Sequence, residues 1–273
     1  MDVLDRYAVF GNPIAHSKSP QIHQAFATQA GENISYTKQC VDEGCFAIEA
    51  KAFFDGGGLG LNVTVPFKQD ACTFADELSD RAKAAGAVNT LVKRPDGRIL
   101  GDNTDGLGLV SDIKNRLGWQ LRDANVLILG AGGAVRGVLQ PILAEGPSSV
   151  VIANRTASKA RILADMFTSS GQIHGVGFGE INNSAVDVII NGTSASLSAE
   201  VPAVPPECIS ENTKVYDMVY GSEPTAFMVW AKKQGAVNIS DGLGMLVGQA
   251  VESFRLWRGF KADSEPVIAM LRK

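Results

Sequence analysis

The sequence predicts a two-domain α/β protein whose second domain is a doubly wound, Rossmann-like sheet. Strand-like and helix-like segments alternate along the chain, which is typical of parallel sheets covered by helices. A chain of 273 residues is long enough for one large α/β domain or two smaller ones with separate cores. The buried strand predicted at 126–129 runs directly into a glycine turn and a helix start, as in the first unit of a dinucleotide-binding domain.

The composition argues against several functional classes. The hydrophobic share of 45% and charged share of 20% are those of an ordinary globular protein. A net charge of -4 gives no positive field to attract nucleic acid or anionic lipid. No apolar run approaches the roughly 20 residues that span a bilayer, and the N-terminus lacks the apolar core of a signal peptide. We therefore expect a cytoplasmic protein without nucleic-acid or membrane partners.

The cysteines and histidines are not arranged for a metal site. The chain has three histidines, and its cysteines show neither zinc-ligand spacing nor a Cys-x-x-Cys pair. The cysteines are Cys40, Cys45, Cys72 and Cys208. We expect all four to be reduced and to serve as small apolar residues, and we expect no metal.

The first domain is predicted to open with a strand at 7–10, which Gly11-Asn12-Pro13 ends. Ser19 is predicted as the N-cap and Pro20 as the first residue of a helix that Gly31 ends. Further strands are predicted at 34–41 and 59–65 around a short helix near 46–53, then a helix at 78–86, a hairpin at 87–94 and 98–101, and a helix at 105–117. The strand–helix–strand order predicts parallel pairing of the first strands.

The second domain alternates more regularly. Strands are predicted at 126–129, 150–153, 186–190, 215–218 and 236–239, with helices at 135–144 and 157–167. Pro141 lies inside the first of these helices and predicts a kink or an earlier end. A late amphipathic helix at 247–259 is expected to pack back on the first domain. The predicted boundaries are 1–105 for a substrate domain, 106–240 for a nucleotide domain and 241–273 for C-terminal helices.

The glycine turn after the 126–129 strand has the features of a pyrophosphate site. Gly130 permits a tight turn, Gly132 allows close approach of the backbone, and the helix start offers free N–H groups to an anion. The turn comprises Gly130, Ala131, Gly132, Gly133 and Ala134. Val135 occupies the place of the third glycine in the Gly-x-Gly-x-x-Gly pattern, and a plain strand-to-helix turn is the alternative.

The end of the next strand indicates which dinucleotide would bind. NAD sites usually carry an acid there for the ribose 2′-hydroxyl, whereas this strand ends in Asn154, Arg155 and Thr156, with Lys159 one turn later. Arg155 can form charge-assisted hydrogen bonds to a 2′-phosphate that a carboxylate would repel. The pattern favours NADP over NAD, and the alternative is a solvated helix start.

Four polar segments of the first domain stand beside predicted strands. They lie at 11–20, 62–68, 86–90 and 101–106. Together they would supply hydroxyl, amide, ammonium and carboxylate groups, which suit a small polyhydroxylated acid better than an apolar ligand.

These segments, with 130–136, 154–156 and 241–250, resemble the ordered motif set of the shikimate dehydrogenase family from Tyr7 to Ile268. The resemblance implies reversible, NADP-dependent reduction of 3-dehydroshikimate to shikimate. Two positions depart from the family pattern: Val135 stands where a smaller residue is common, and Gly192 where alanine is usual.

The resemblance also implies roles for single residues. Lys68 and Asp105 correspond to the catalytic pair, in which Lys68 would donate a proton to the developing alkoxide or hold it electrostatically. Gly242 and Met245 would lie near the nicotinamide, and Met218 is assigned to the cofactor as well. The substrate is assigned to Ser17, Ser19 and Tyr220 through its carboxylate, and to Thr64, Asn89 and Gln249 chiefly through its ring hydroxyls.

Three alternatives remain at this point. A quinate/shikimate dehydrogenase using NAD would be favoured by an acid after the second strand, where Arg155 stands. A non-catalytic sensor of shikimate or NADP would be free to lose Lys68 and Asp105. Another NADP-dependent enzyme of similar architecture, such as a methylene-tetrahydrofolate dehydrogenase, is disfavoured by the Ser17 and Ser19 pair. The expected partner is a small-molecule substrate, and the protein is expected to be a monomer or homodimer.

Overall fold

The computed structural model describes residues 4–273, apart from the side chain of Leu197. The chain folds into two compact domains: residues up to Gly108 together with 247–273 form the first, and Leu109–Leu246 form the second. The predicted class of two α/β domains, with the C-terminal helices returning to the first, is confirmed. The two divisions fall inside helices, after Gly108 and after Leu246, whereas the predicted boundaries lie after residues 105 and 240.

The first domain is built on a mixed sheet. Its elements are β1 (Asp5–Gly11), α1 (Ser19–Ala30), β2 (Ile34–Cys40), α2 (Phe46–Asp55), β3 (Gly58–Val63), α3 (Lys68–Phe74), β4 (Glu77–Leu78), α4 (Asp80–Ala85), β5 (Thr90–Lys93) and β6 (Ile99–Asp102). The strand order is β2-β1-β3-β5-β6-β4. β1 pairs in parallel with β2 and β3, as their order along the chain predicts. The β5–β6 hairpin adds antiparallel pairs.

Two local predictions for this domain are wrong. Ser19 is not the N-cap of α1 but its first helical residue, and Lys18 precedes it without a side-chain cap. The predicted 59–65 strand ends at Val63. The Phe67 N–H bonds back to the Thr64 carbonyl, which turns the chain into the unpredicted helix α3.

The chain then enters the second domain and returns. The remaining elements are α5 (Asp105–Ser111), a π-helix (Asp112–Arg116), β7 (Asn125–Leu129), α6 (Gly133–Ala144), β8 (Ser149–Asn154), α7 (Ala157–Asp165), β9 (Ile173–Gly177), β10 (Val188–Asn191), β11 (Lys214–Asp217), α8 (Ala226–Lys233), β12 (Asn238–Ser240), α9 (Leu243–Arg258) and α10 (Glu265–Leu271). Helix α5 begins in the first domain and ends in the second, and α9 makes the reverse passage.

The second domain has a fully parallel sheet of order β12-β11-β10-β7-β8-β9. The four apolar residues at 126–129 are at most 1% exposed, as expected for a strand covered by helices on both faces. After β9 the chain returns to the middle of this sheet to form β10, so the switch point lies between the neighbouring strands β7 and β10. Ligands of doubly wound sheets bind beside the carboxyl ends of the strands at such a switch point.

Two helix predictions need correction here. The single helix predicted at 105–117 is α-helical only to Ser111 and continues as the π-helix, in which the Asp112 carboxylate accepts hydrogen bonds from Arg116 and Tyr216. Helix α6 does not end early at Pro141 but runs to Ala144. In the part of the chain that the structure describes, no helix is long and apolar enough to span a membrane.

The cysteines are all free thiols. Cys208 is buried, and Cys45 and Cys72 pack against the core of the first domain. Cys40 is exposed, so the prediction that it serves as an apolar packing residue is wrong. Within residues 4–273 the structure contains no group of three or more His, Cys, Asp or Glu side chains placed to hold a metal ion.

Candidate active site

An ion pair joins the first residues of two helices in the first domain. Lys68 begins α3 and Asp105 begins α5, and the Lys68 Nζ donates to Asp105 Oδ2 at 2.5 Å. The side chains are 29% and 14% exposed, so the pair is largely but not fully withdrawn from solvent. An ammonium held in this way keeps further N–H groups, which can donate hydrogen bonds to a ligand oxygen.

Asn89 connects this ion pair to helix α9. Its Nδ2 lies 2.8 Å from Asp105 Oδ1 and 3.3 Å from Gln249 Oε1, and its Oδ1 accepts the Thr104 N–H at 2.9 Å. Asp105 therefore accepts one hydrogen bond on each carboxylate oxygen. The Asn89 side chain is 3% exposed, which fixes the orientation of its amide.

Behind Asn89 lies a buried polar network around Asn62. The Asn62 Nδ2 donates to the Asn89 carbonyl at 3.2 Å and lies 3.1 Å from Ser253 Oγ. Its Oδ1 accepts the Tyr36 hydroxyl at 2.7 Å. Because each of these groups has a partner, the network can stay buried and rigid.

The same network reaches Ser19, the first residue of α1, and through it Ser17 in the preceding loop. Burial raises the pKa of the Tyr36 phenol well above its usual value, and the neighbouring Ser19 hydroxyl opposes this shift. The Ser17 hydroxyl donates to Ser19 Oγ at 3.2 Å. Hydroxyls at the start of a helix can serve as donors to an anion such as a carboxylate.

In the second domain the glycine turn is open to solvent. Gly130 has φ +102°, a conformation that favours glycine. Gly132, Gly133 and Ala134 are exposed, and a Cβ placed on Gly132 or Gly133 would meet no atom within 4 Å. The first N–H groups of α6 therefore border free space beside the switch point, which suits a pyrophosphate.

The adjoining end of β8 carries positive charge. Arg155, Thr156 and Lys159 are exposed, and the Asn154 Nδ2 donates to the Thr156 carbonyl at 3.0 Å, which shapes the turn. Among the described residues neither Arg155 nor Lys159 has a carboxylate in an ion pair. Both cations are thus available to an anionic ligand.

Three other predicted cofactor positions lie together near the start of α9. A side chain on Gly242 would collide with the Met218 backbone, so the two segments touch there. The Met245 N–H donates to the Tyr216 hydroxyl at 3.3 Å, and that hydroxyl donates to Asp112 Oδ2 at 2.6 Å. The first turn of α9 is therefore held by the buried end of β11 and by the π-helix.

Models of known families match most of the chain. Residues 9–91 match the shikimate dehydrogenase substrate binding domain, residues 112–204 match shikimate / quinate 5-dehydrogenase, and residues 242–272 match the shikimate 5'-dehydrogenase C-terminal domain. A curated protein named shikimate dehydrogenase (NADP(+)) from Saccharophagus degradans is 57% identical over 99% of both chains. This chain belongs to the shikimate dehydrogenase family.

Solved structures share the architecture of this chain. An Ael1 enzyme from Pseudomonas putida superposes with a TM-score of 0.93 at 42% identity, covering 98% of each chain. A shikimate 5-dehydrogenase from Thermus thermophilus, solved in complex with NADP(H) and shikimate, gives 0.86 at 31% identity, covering 98% of this chain and 99% of the other.

The structure connects some of the predicted family residues directly. Lys68, Asp105, Asn89 and Gln249 form one hydrogen-bonded group in the first domain. Ser17 and Ser19 are bonded to each other, and Thr64 lies in the turn between β3 and α3, shortly before Lys68. Tyr220, by contrast, belongs to the second domain and is 38% exposed.

The sequence did not reveal the residues that support this group. Asn62 and Thr104 stand inside the polar segments, but nothing in the pattern distinguished them from their neighbours. Tyr36 lies on β2 and Ser253 on α9, where each fits an ordinary amphipathic pattern. Only their contacts, made over separations of up to 191 residues, reveal them.

Proposed function

We propose that this chain is an NADP-dependent shikimate dehydrogenase that interconverts 3-dehydroshikimate and shikimate. The observation that carries the proposal is the Lys68–Asp105 ion pair, held by Asn89 beside Gln249, in a member of this family. A ketone reductase needs an acid that can donate a proton to the oxygen as it gains negative charge. Lys68 meets that requirement.

The residues of the second domain fit NADP. The open space at Gly132 and Gly133 would take the pyrophosphate, and Arg155, Thr156 and Lys159 would take the 2′-phosphate, with Asn154 shaping their turn. The other cofactor contacts we propose are Gly130, Ala131, Ala134, Met218, Gly242 and Met245. When bound, the cofactor supplies a hydride to the substrate ketone or accepts one from the alcohol.

Lys68 and Asp105 handle the proton. In the reduction the Lys68 ammonium donates a hydrogen bond to the ketone oxygen and transfers its proton as the alkoxide forms. Asp105 holds the ammonium in place through Oδ2, while Asn89 fixes Oδ1. In the reverse direction the neutral lysine accepts the hydroxyl proton.

The remaining polar residues recognise the substrate. We propose that the Ser17 and Ser19 hydroxyls, with that of Tyr220, bind the carboxylate. Thr64, Asn89 and Gln249 bind the ring hydroxyls. A cytoplasmic location and a monomeric or homodimeric state complete the proposal, and light scattering on the purified protein would measure the latter.

The proposal is tested by the absorbance of the nicotinamide band with shikimate and either NADP+ or NAD+, at equal enzyme concentration. We expect rapid reduction of NADP+ and little of NAD+, because Arg155 stands where an NAD enzyme has an acid. Comparable rates with both would favour a quinate/shikimate enzyme that uses NAD. Absence of reduction with either would contradict the proposal and favour a binding protein.

The role of Lys68 is tested by Lys68→Met. We expect kcat to fall by about 100- to 10,000-fold, the usual contribution of a general acid, while shikimate still binds in a calorimetric titration. Lys51→Met is a matched control, because Lys51 also pairs with a carboxylate, Asp55 at 2.6 Å, but on an exposed helix face. Unchanged turnover in Lys68→Met would exclude Lys68 as the proton donor.

A further inference from the structure

Val135 is the one position at which the glycine turn departs from the Gly-x-Gly-x-x-Gly pattern. The third glycine of that pattern allows a helix and its neighbouring strand to pack closely. Val135 is nevertheless 0% exposed and lies in the first turn of α6. Its two methyl groups must therefore find space in the interior beside the switch point.

Gly192 supplies that space. It follows β10, and a Cβ placed on it would lie 2.5 Å from Val135 Cγ2 and 3.1 Å from Met218 Sδ. Its φ is not in the left-handed region, so the backbone conformation does not require glycine. What excludes a side chain at residue 192 is the volume of Val135 and Met218.

Gly192 also touches the glycine turn itself. Its N–H donates to the Leu129 carbonyl at 2.9 Å, at the end of β7. A Cβ on Gly130 would lie 3.2 Å from the carbonyl carbon and oxygen of Gly192. Gly192 therefore lies against both Gly130 and Val135, and a side chain on residue 192 would displace either the turn or the start of α6.

We propose that Gly192 is a positioning residue of the NADP site, and that the combined volume of residues 135 and 192 sets the position of the pyrophosphate-binding turn. This inference rests on the cofactor assignment proposed above. A methyl group on residue 192 pushes Val135, and with it the first turn of α6, whose N–H groups face the phosphates. Removing the Val135 methyl groups relieves that displacement.

The test is a double-substitution cycle with Gly192→Ala, Val135→Ala and the two together. NADP+ affinity is measured by isothermal titration calorimetry, and thermal unfolding is followed without ligand. We expect Gly192→Ala to weaken NADP+ binding by about tenfold or more, as overpacking of a close contact predicts. The NADP+ affinity of the double variant should recover to within about threefold of the wild type. If the two substitutions acted independently, their effects on the binding free energy would simply add.

Binding of a fragment of the cofactor distinguishes displacement of the glycine turn from general damage to the NADP site. Adenosine 2′-monophosphate carries the 2′-phosphate but has no phosphate at the 5′ position, so its Kd should be the same in Gly192→Ala as in the wild type. The KM for shikimate should also stay unchanged. Val135→Ile, which adds volume from the opposite side, should weaken NADP+ binding as Gly192→Ala does, and it is the second variant if Gly192→Ala does not fold.

The outcomes separate this inference from the proposed function. Equal NADP+ affinity of the wild type, Gly192→Ala and Val135→Ile would overturn the inference, as would a double variant that binds no better than Gly192→Ala. Equal weakening of NADP+ and the fragment would also overturn it, because the damage would then extend beyond the turn. A wild type that binds NADP+ but does not oxidise shikimate would contradict the proposed function alone.

Discussion

Among the described buried polar residues of the first domain, His23 differs from those around Asn62 because its ring nitrogens have no well-formed hydrogen bond. Its side chain is 0% exposed and stacks on Tyr36, with ring centroids 4.4 Å apart. In the described part of the chain neither ring nitrogen has a hydrogen-bond partner of normal geometry. Burial lowers the pKa of the imidazole to about 3, and the nearby Asn62 side chain opposes the shift.

The sign of the resulting pH dependence follows from this depressed pKa. His23 is neutral in the folded protein, whereas in the unfolded chain it takes up a proton near pH 6.5. Its contribution to stability is fully present above pH 6.5 and is lost as the pH falls toward 3, by about 1.4 kcal/mol per pH unit.

We expect His23→Phe to reduce the acid sensitivity of the protein. Phenylalanine keeps the stacked ring but cannot take up a proton, so the free energy of unfolding should fall less steeply between pH 6 and 4. Urea denaturation at a series of pH values measures the slope. His174→Phe is the control, because His174 is exposed. Parallel curves for wild type and His23→Phe would contradict the expectation.

Sequence patterns can single out a residue only where a motif contains it. The family motifs point to Lys68 and Asp105, and the structure brings the two side chains into contact, while their catalytic role stays a prediction. Tyr36 and Ser253 could not be identified from the sequence, because they are distinguished only by hydrogen bonds to residues far along the chain.

At the scale of helices and strands, local patterns predicted most elements to within two or three residues. The predicted strand 126–129 is observed as Asn125–Leu129, and the predicted stop of the first helix at Gly31 is its observed C-cap. The short strands β4 and β9 were missed, since each depends on pairing with a neighbour. The π-helix was missed because the apolar spacing of 105–117 predicts only a continuous α-helix.

The junction of the π-helix, β11 and α9 depends on one hydroxyl. Tyr216 is 0% exposed, and burial raises the pKa of its phenol well above the usual value, so it stays a neutral donor. It donates to Asp112 Oδ2 and accepts the Met245 N–H. A side chain on Gly244 would collide with the Asp112 carboxylate, so the close packing leaves no room for another group.

We expect Tyr216→Phe to lower the free energy of unfolding by about 1–3 kcal/mol, because it leaves the buried Asp112 carboxylate without one donor. Chemical denaturation measures this loss, and amide exchange at Met245 should become faster. Tyr220→Phe should leave the unfolding free energy unchanged, since Tyr220 is 38% exposed. Equal stability of Tyr216→Phe and wild type would show that the hydroxyl does not hold the junction.

At the scale of the whole molecule, the first domain is completed by a distant part of the chain. Ser253 Oγ lies 2.8 Å from Thr90 Oγ1, and the Trp257 Nε1 donates to the Leu91 carbonyl at 3.0 Å. Phe254 is 0% exposed and packs edge-on against Phe26. Amphipathic spacing predicted that this helix packs back on the first domain, but the individual contacts required the structure.

We expect Phe254→Ala to destabilise the protein by about 3–5 kcal/mol through a cavity in the first domain. Hydrogen exchange should show the loss of protection mainly in β1–β3 and α1, with the second-domain sheet less affected. Val229→Ala serves as the control, because Val229 is 43% exposed on α8. Uniform loss of protection in both domains would contradict this expectation.

The passage of α5 and α9 between the domains also determines the order in which the nascent protein can be completed on the ribosome. Residues 109–246 are all synthesised before Ser253, Phe254 and Trp257 emerge. The strands of the first domain are made earlier, but its last helices come at the end of the chain, so the domain that starts second can be completed first. Until the last helices arrive, the N-terminal half keeps apolar side chains such as Phe26 uncovered, and this is the interval in which we expect chaperones to bind the growing chain.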